Sequence, residues 1–316
     1  MAESLITKYR PQSLQDYFGN KQLKVTVKKM LSNNTLPHAI LLSGNSGSGK
    51  TTLARIIAKE LNCSGIDLTE FNIADTNGVD SIRDLIENAN YRPMVSESRV
   101  YILDECHQMT TQAQNALLKV LEEPKPWVYF ILCTTDPQKL LNTIKSRTTQ
   151  FSVKPLEGED YFSFVDEIYC KEKGIEIEQS PLSEKFLFNL YNATGGEPRA
   201  ILSNLEKIIH IKEDKLDSYK FIANEEEQKG NDLARVLYKS NNWVDIAKEL
   251  SKITSADVES TRRAVLGYAT AIVSKGNYDE KAHRIITSFI QPFFDKGLEK
   301  ISITKACLDV YKGVSR

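Results

Sequence analysis

The sequence has no long apolar run and no recognisable export signal. None of its 316 residues lies in a stretch approaching the ~18 consecutive apolar positions that a membrane-spanning helix needs. The N-terminal MAESLITKYRPQS lacks the apolar core of a signal peptide, so a cytoplasmic protein is expected. Hydrophobic residues make up 41% and charged residues 26% of the chain, which excludes wholesale disorder and predicts two or three globular domains.

Cysteine is scarce and scattered. The chain has five cysteines, an odd number, and the two closest in sequence, Cys106 and Cys133, are 27 residues apart. It contains neither a CxxC pair nor a Cys/His cluster. The sequence therefore predicts neither a disulfide framework nor a zinc site.

The chain also has little net charge, formally −1, so its overall balance does not argue for or against nucleic acid. The distribution is less even. Residues 1–60 contain nine Lys or Arg against three Asp or Glu, whereas residues 151–190 contain four against nine. Such asymmetry is typical of a chain with one end that meets a polyanion, although solvated surfaces produce it too.

Short apolar runs alternate with helical patterns in the first half of the chain. The runs typical of strands are 38–43, 71–75, 99–104 and 127–135, and the helical patterns between them are 51–61, 79–90 and 110–123. This alternation predicts a parallel sheet covered on both faces by helices.

Helical patterns dominate after about residue 152. They cover 183–196, 197–211, 231–240, 243–253, 256–274, 280–298 and 303–312. The polar run 224–232 is expected to be a linker. We therefore predict an α/β domain over residues 1–152, a small helical domain over 153–223 and a C-terminal helical domain over 224–316.

A glycine-rich segment follows the first strand. Residues 44–51, GNSGSGKT, match the phosphate-loop pattern G-x-x-x-x-G-K-[ST], with a strand before it and a helix after it. Backbone N–H groups of such a loop hold phosphate oxygens, Lys50 is expected to reach the β- and γ-phosphates, and Thr51 to bind Mg²⁺. The expected nucleotide-binding residues here are Gly44, Asn45, Ser46, Gly47, Ser48, Gly49, Lys50, Thr51 and Thr52.

An acidic pair follows the strand RVYIL. Asp104 is expected to hold Mg²⁺, directly or through water, and Glu105 to polarise the attacking water. An acidic pair after a strand also occurs in turns and helix caps, but the preceding phosphate loop favours the catalytic interpretation. His107 completes a D-E-x-H pattern found in helicases, but no second RecA-like domain is visible downstream.

Several segments occur together in the order of one family. They are KYRP (8–11), LPHAILLSG (36–44), VYILDECH (100–107), NALLKVLEEP (115–124), TTDPQKLLNTIKSRT (134–148) and GGEPRAIL (195–202). As a set they resemble the ATPase subunits of DNA polymerase clamp loaders, above all the bacterial gamma/tau subunit and more distantly the replication factor C small subunits. The resemblance covers about residues 5–210. It implies a P-loop AAA+ parallel sheet flanked by helices and a small helical lid, while the remaining residues match a helical collar in length and helicity.

The resemblance implies roles for residues outside the phosphate loop. Thr135 matches the sensor-1 position, with Thr134 as the alternative. Arg147 matches the arginine that reaches a neighbouring subunit's ATP site, and Arg199 matches the sensor-2 arginine of the lid. Each arginine also has a plain interpretation, as a helix-end cation or an exposed helix residue.

The resemblance further implies contacts with adenine and with DNA. Tyr9 and Arg10 belong to a segment that lies near adenine in the family, although core packing would equally explain Tyr9. Arg83, Thr110 and Thr111 match regions that track duplex phosphates with helix N-termini. For each of these three residues, an ordinary surface or capping role is the competing interpretation.

Within the region of resemblance, the sequence departs from the family in two places. Bacterial relatives insert a four-cysteine zinc module after the phosphate-loop helix, whereas Cys63 here runs directly into SGIDLTEFNIAD, so zinc is not expected. The family's Ser-Arg-Cys motif reads Ser-Arg-Thr, which leaves Arg147 in place.

The function implied is that of an ATPase subunit which loads a sliding clamp onto primer–template DNA, with ATP and Mg²⁺ as cofactors. Its implied partners are the clamp, the DNA and other loader subunits, together forming a pentamer. Two alternatives stay open at this level. One is a stator-like relative that assembles without hydrolysing ATP, which the intact loop at 44–51 disfavours. The other is a different AAA+ machine, such as a helicase loader or a Holliday-junction branch-migration motor.

Overall fold

The computed structural model of the chain describes residues 3–74, 79–219, 225–240, 242–254, 258–273, 279–291 and 299–313. The chain divides into two compact units. The first unit comprises residues 1–183 and 196–216, and the second comprises residues 184–195 and 217–316.

The first unit is built on a five-stranded parallel sheet with the strand order β2-β3-β4-β1-β5. The strands are β1 (Ala39–Ser43), β2 (Leu68–Asn72), β3 (Arg99–Asp104), β4 (Val128–Thr134) and β5 (Thr149–Ser152). In the register, Ser43 pairs with Thr134 and Asn72 with Asp104, so the polar ends of these strands meet at the carboxyl edge of the sheet.

Helices cover both faces of this sheet, as the sequence predicts. The helices of the first unit are α1 (Leu5–Lys8), α2 (Lys21–Ser32), α3 (Lys50–Glu60), α4 (Val79–Asn88), α5 (Thr111–Glu122), α6 (Asn142–Ser146), α7 (Gly158–Lys173) and α9 (Pro198–Ile208). Along β1, Ile40 and Leu42 join a core cluster with Leu53 and Ile57 of α3. Leu41 faces the other way, into a second cluster that includes side chains of α4 and α5. This alternation is the period-2 pattern of a strand buried on both faces.

The second unit is built from helices. They are α8 (Glu184–Thr194), α10 (Glu225–Lys239), α11 (Trp243–Ser251), α12 (Val258–Val273), α13 (Glu280–Phe289) and α14 (Glu299–Lys312). Leu233, Val265, Phe289 and Ile303 are fully buried in its core. Arg262 Nη1 donates to the carbonyl oxygens of Phe289 at 2.9 Å and Ile290 at 3.2 Å, which satisfies acceptors at the end of α13.

Residues 225–232 of the predicted linker 224–232 are helical, so the prediction is wrong for them, and residue 224 lies outside the described residues. Helix α10 begins at Glu225 and continues to Lys239. Glu, Gln and Lys are good helix formers and need no apolar periodicity to remain helical. The apolar stripe of α10 begins only at Leu233. Among the described residues, every helix is too short or too polar to cross a bilayer.

Candidate nucleotide-binding site

The phosphate loop joins β1 to α3 and passes very close to neighbouring chain segments. Gly49, which precedes α3, has a φ of 100°, and a Cβ there would lie 2.8 Å from Tyr17 Oη. At Gly44 a Cβ would lie 2.2 Å from the carbonyl oxygen of Val153. These two positions therefore need glycine, and the resulting turn leaves the N–H groups at the start of α3 facing the loop.

A cavity of about 370 Å³ lies over this loop in the first unit. The predicted site residues that line it are Tyr9, Arg10, Ser46, Gly47, Ser48, Gly49, Lys50, Thr51, Thr52, Asp104, Glu105 and Arg199. Its rim also includes side chains of α7, such as Phe164 and Ile168. The cavity therefore combines polar groups of the loop with apolar side chains of α7, which suits a ligand with a charged part and an apolar part.

The Lys50 side chain is buried within the loop. Lys50 is 5% exposed, and its Nζ donates to the carbonyl oxygens of Gly44 at 2.9 Å and Asn45 at 2.8 Å. Burial lowers the pKa of Lys50, while the charges of Glu105 and Asp104 act in the opposite direction. A cation that is already partly desolvated interacts more strongly with a phosphate than one in bulk water.

Thr51 and Asp104, the two residues predicted to bind Mg²⁺, are in direct contact. Thr51 Oγ1 donates to Asp104 Oδ2 at 2.7 Å. Two neighbouring oxygens bound to one octahedral Mg²⁺ at ~2.1 Å lie about 3.0 Å apart, and hard oxygen ligands are those Mg²⁺ prefers. The pair therefore fits the expected ion in both spacing and chemistry.

Glu105 is held by polar groups from the next strand. Its backbone lies in the left-handed region, with φ 50° and ψ 40°, a conformation that non-glycine residues rarely adopt outside special sites. Its Oε2 accepts a hydrogen bond from Thr135 Oγ1 at 3.2 Å and lies 3.3 Å from His107 Nδ1. His107 Nδ1 is in turn 3.2 Å from Thr134 Oγ1. The structure thus brings Thr135 to Glu105 and adds His107.

Two aromatic residues support the loop and the rim. Tyr17 is buried and its Oη donates to the carbonyl oxygen of Ser48 at 3.3 Å, a contact that the sequence analysis missed. Tyr9 donates its hydroxyl to Glu172 of α7, which also pairs with Lys8 at 2.6 Å. Burial, reinforced by Glu172, raises the pKa of Tyr9. The N-terminal segment is thereby fastened to α7 beside the cavity.

The two predicted arginines occupy different places. Arg199, in the first turn of α9, lines the cavity, and its backbone N–H donates to the carbonyl oxygen of Gly47 at 3.4 Å. Arg147 follows α6 and lies outside the residues that line the cavity. Its guanidinium donates to Glu122 Oε2 and to the carbonyl oxygen of Thr143. One chain therefore does not bring Arg147 to its own phosphate loop.

The predicted DNA-contacting residues lie on the surface of the first unit. Arg83 on α4 is exposed and pairs with Asp80 at 3.0 Å. Thr110 caps α5 by accepting a hydrogen bond from the Ala113 N–H at 3.2 Å, and Thr111 is the first residue of that helix. The cap accounts for Thr110 structurally, so its role toward DNA stays a prediction.

Known proteins match this chain in sequence. Residues 66–157 match the family model described as DNA polymerase III, delta subunit. DNA polymerase III subunit gamma of Buchnera aphidicola subsp. Schizaphis graminum is 36% identical over 234 residues, covering 67% of this chain and 63% of the relative. DNA polymerase III subunit tau of Salmonella typhimurium is 38% identical over 226 residues, covering 65% of this chain and 34% of the relative. The matched region thus spans less than two thirds of either relative.

A solved structure matches the fold. The RuvB Holliday junction branch migration motor of Thermotoga maritima has a TM-score of 0.54 to this chain, with 16% identity, over 77% of this chain and 85% of RuvB. At that identity the likeness shows the AAA+ fold alone. The gamma and tau matches, at 36% and 38% identity, show that this chain belongs to the family of the DNA polymerase III gamma/tau subunits.

Proposed function

We propose that this protein is an ATPase subunit that opens a sliding clamp and loads it onto primer–template DNA by binding and hydrolysing ATP. The observation that carries this proposal is the convergence of Lys50, Thr51, Asp104 and Glu105 at one cavity, at the carboxyl end of the sheet. This is the set of groups that phosphoryl transfer requires from a phosphate-loop enzyme.

ATP would bind with its phosphates on the loop and its adenine towards Tyr9 and Arg10. Lys50 would exchange its two carbonyl acceptors for oxygens of the β- and γ-phosphates, which lie within reach of the same loop. Thr51 and Asp104 would hold Mg²⁺, which when bound neutralises charge on the β- and γ-phosphates. Arg199 would tie the lid, residues 153–223, to the nucleotide.

Hydrolysis needs a carboxylate that orients the attacking water. Glu105 fits this role because its carboxylate borders the cavity and its position is fixed by Thr135 and by the nearby imidazole of His107. A fixed carboxylate costs less reorganisation at the moment of reaction than a freely rotating one.

Arg147 would complete the site of a neighbouring subunit. Its position away from its own cavity supports this role, because an arginine that acts on another chain has to be exposed on the chain that carries it. The active unit is then an assembly, a pentamer in which residues 224–316 form the collar. In that assembly Arg83, Thr110 and Thr111 would face the DNA.

Steady-state ATP hydrolysis by the purified chain tests the proposal, measured alone and with primed DNA plus the sliding clamp of the same replication system. We expect DNA and clamp together to stimulate turnover, and Lys50→Ala and Arg147→Ala each to abolish the stimulation. Turnover that is clear but indifferent to both DNA and clamp would instead indicate another kind of AAA+ machine.

A stator-like subunit that binds partners without turnover is the second candidate. Residues 66–157 match a family model named for another DNA polymerase III subunit, whereas the intact phosphate loop and the Glu105 contacts favour hydrolysis. Release of phosphate from stoichiometrically bound ATP separates the two. A chain that keeps its ATP intact for hours in the full assembly would be the stator.

A further inference from the structure

The guanidinium of Arg147 is anchored on its own chain by an acidic side chain of α5. Nε and Nη2 donate to the same carboxylate oxygen, Glu122 Oε2, at 3.0 and 2.8 Å. Nη1 donates to the carbonyl oxygen of Thr143 at 3.2 Å. Guanidinium carries five N–H groups, so within the described part of the chain two of them remain for another acceptor.

This anchor adds little to stability. Both side chains are accessible, with 29% of Arg147 and 58% of Glu122 exposed, and exposed ion pairs contribute little to stability. The pair nevertheless restricts a long side chain with several rotatable bonds, whose freedom would otherwise have to be lost when it meets a phosphate.

The backbones that carry the pair are themselves fixed. Leu121, next to Glu122, is 3% exposed, and Ile144 of α6 is fully buried. Thr148 Oγ1 donates to the Ile144 carbonyl oxygen at 3.0 Å and holds the chain just after Arg147. Because the backbone beside each of the two side chains is held by buried neighbours, the Glu122 carboxylate sets the direction of the Arg147 guanidinium.

We propose that Glu122 is a positioning residue for the arginine that Arg147 supplies to the neighbouring subunit's ATP. The inference rests on the function proposed above. Glu122 holds one edge of the guanidinium, and the two remaining N–H groups meet the oxygens of the phosphoryl group being transferred. Glu122 itself touches neither nucleotide nor water.

The test is a double-mutant cycle on kcat and KM for ATP, measured in the assembled loader with primed DNA and clamp. Glu122→Ala is expected to lower kcat roughly 5- to 10-fold, because rotamer freedom returns to Arg147, and to leave KM for ATP unchanged. Glu122→Gln keeps an acceptor oxygen and is expected to recover most of the loss. Glu123→Ala, which removes the same charge from the adjacent exposed residue, is the matched control and should behave as the parent protein.

The cycle separates this inference from the proposed function. In an Arg147→Ala background, read by single-turnover hydrolysis at high protein concentration, Glu122→Ala is expected to have no further effect. The inference is overturned if Glu122→Ala lowers kcat equally in both backgrounds, leaves kcat unchanged, or raises it. If Arg147→Ala itself leaves kcat unchanged, it is the proposed function that fails.

Discussion

Thr51 and Asp104 are 53 residues apart in sequence, yet their oxygen atoms lie 2.7 Å apart. Thr51 belongs to the first turn of α3 and Asp104 to the end of β3, and the parallel sheet brings these two ends to the same edge. The contact therefore depends on the fold of the whole first unit, and it joins the two oxygens that we propose bind Mg²⁺.

Asp104→Asn tests the use of that carboxylate. Asparagine keeps the shape and a carbonyl oxygen for Thr51, but it removes the negative charge that favours Mg²⁺. We expect kcat for ATP to fall by at least about 100-fold while ATP binding persists, measured by steady-state turnover and by nucleotide titration over a range of Mg²⁺ concentrations. Thr51→Ser, which keeps the hydroxyl, is the control. An Asp104→Asn variant that retains the parent kcat would rule out the metal role.

His107 is the residue of the site that pattern analysis assigned only to a helicase signature. Its Nδ1 lies between Glu105 Oε2 and Thr134 Oγ1, at 3.3 and 3.2 Å, and its side chain is 11% exposed. A ring nitrogen in this place restrains the carboxylate that is expected to orient water. We therefore expect His107 to act through Glu105, because it lies outside the residues that line the cavity.

We expect His107→Ala to lower kcat roughly 3- to 10-fold with little change in KM for ATP, because only the Glu105 carboxylate gains freedom. His107→Asn retains a polar group near the position of Nδ1 and should recover part of the loss. Steady-state kinetics of both variants provide the measurement. A thermal melting temperature that falls in step with kcat would point to a purely structural role.

At the scale of elements, the loop before β3 is fastened by one buried carboxylate. Asp67, which no solvent reaches, accepts hydrogen bonds from the N–H groups of Met94, Val95 and Ser96 and pairs with Arg99 at 3.1 Å. Burial alone raises the pKa of Asp67, but the backbone donors and the Arg99 guanidinium outweigh it and hold that pKa well below its usual range. The Asp67 carboxylate, directly before β2, thus holds the loop of residues 94–96 that leads into β3.

The ionised Asp67 carboxylate should make the folding stability of the first unit sensitive to acid. Because the folded-state pKa of Asp67 is depressed, its stabilisation is fully present above the ordinary carboxyl pKa and is lost as pH falls through that range towards the folded value. Asp67→Ala is expected to cost about 3 kcal/mol at pH 7, since it removes the carboxylate partner of Arg99 and the acceptor of three backbone N–H groups. Asp67→Asn should lose less stability than the parent between neutral and acid pH.

Urea unfolding at pH 7 and near pH 3 provides that measurement. The chain has two tryptophans, Trp127 and Trp243. Trp127 Nε1 donates to the carbonyl oxygen of Tyr91, which lies shortly before the loop that Asp67 holds. In a Trp243→Phe background the fluorescence of Trp127 therefore reports the first unit alone. Equal acid sensitivity with and without the Asp67 carboxylate would contradict the assignment.

The elements that could be predicted from the sequence are those with a strong local pattern. Strands β1, β3 and β4 are apolar runs buried on both faces, and their prediction was confirmed within a residue or so. Strand β5, TQFS, was missed because its residues alternate between half-buried and exposed and it pairs only with β1 at the sheet edge. Helix α2 was missed too, since it buries only Leu23 and Val27.

The site divides in the same way. Two contiguous motifs, the phosphate loop and the acidic pair after β3, contain Lys50, Thr51, Asp104 and Glu105. The spacing within these motifs is enough to predict their place in a nucleotide site from the sequence. Tyr17, His107 and Glu122 each contact a partner 25 to 31 residues away, namely Ser48, Thr134 and Arg147, and nothing local in the sequence marks those contacts. His107 also lies beside Glu105, two residues away, but the sequence pattern alone does not show that their side chains meet. The Tyr17 contact exists because the glycine loop passes over a buried ring, and the Glu122 contact because the ends of α5 and α6 meet.

At the scale of the whole molecule, the separation of Arg147 from its own cavity predicts an active site shared between chains. If the neighbouring subunit is another copy of this chain, Lys50→Ala and Arg147→Ala chains are each inactive alone for different reasons. The first cannot hold ATP phosphates, and the second cannot stabilise the charge on its neighbour's phosphoryl group. In a mixed assembly, some interfaces combine an intact Lys50 on one chain with an intact Arg147 on the other.

We therefore expect mixing the two inactive variants to restore DNA- and clamp-stimulated ATP hydrolysis to a substantial fraction of the parent rate, depending on mixing ratio. The matched control is the doubly substituted chain, Lys50→Ala with Arg147→Ala, mixed with Lys50→Ala, which leaves no interface with a competent phosphate loop. Sedimentation of each mixture confirms assembly before turnover is measured. Assembled mixtures that stay inactive would mean that Arg147 does not act between copies of this chain, and the arginine for each site would then have to come from a different subunit.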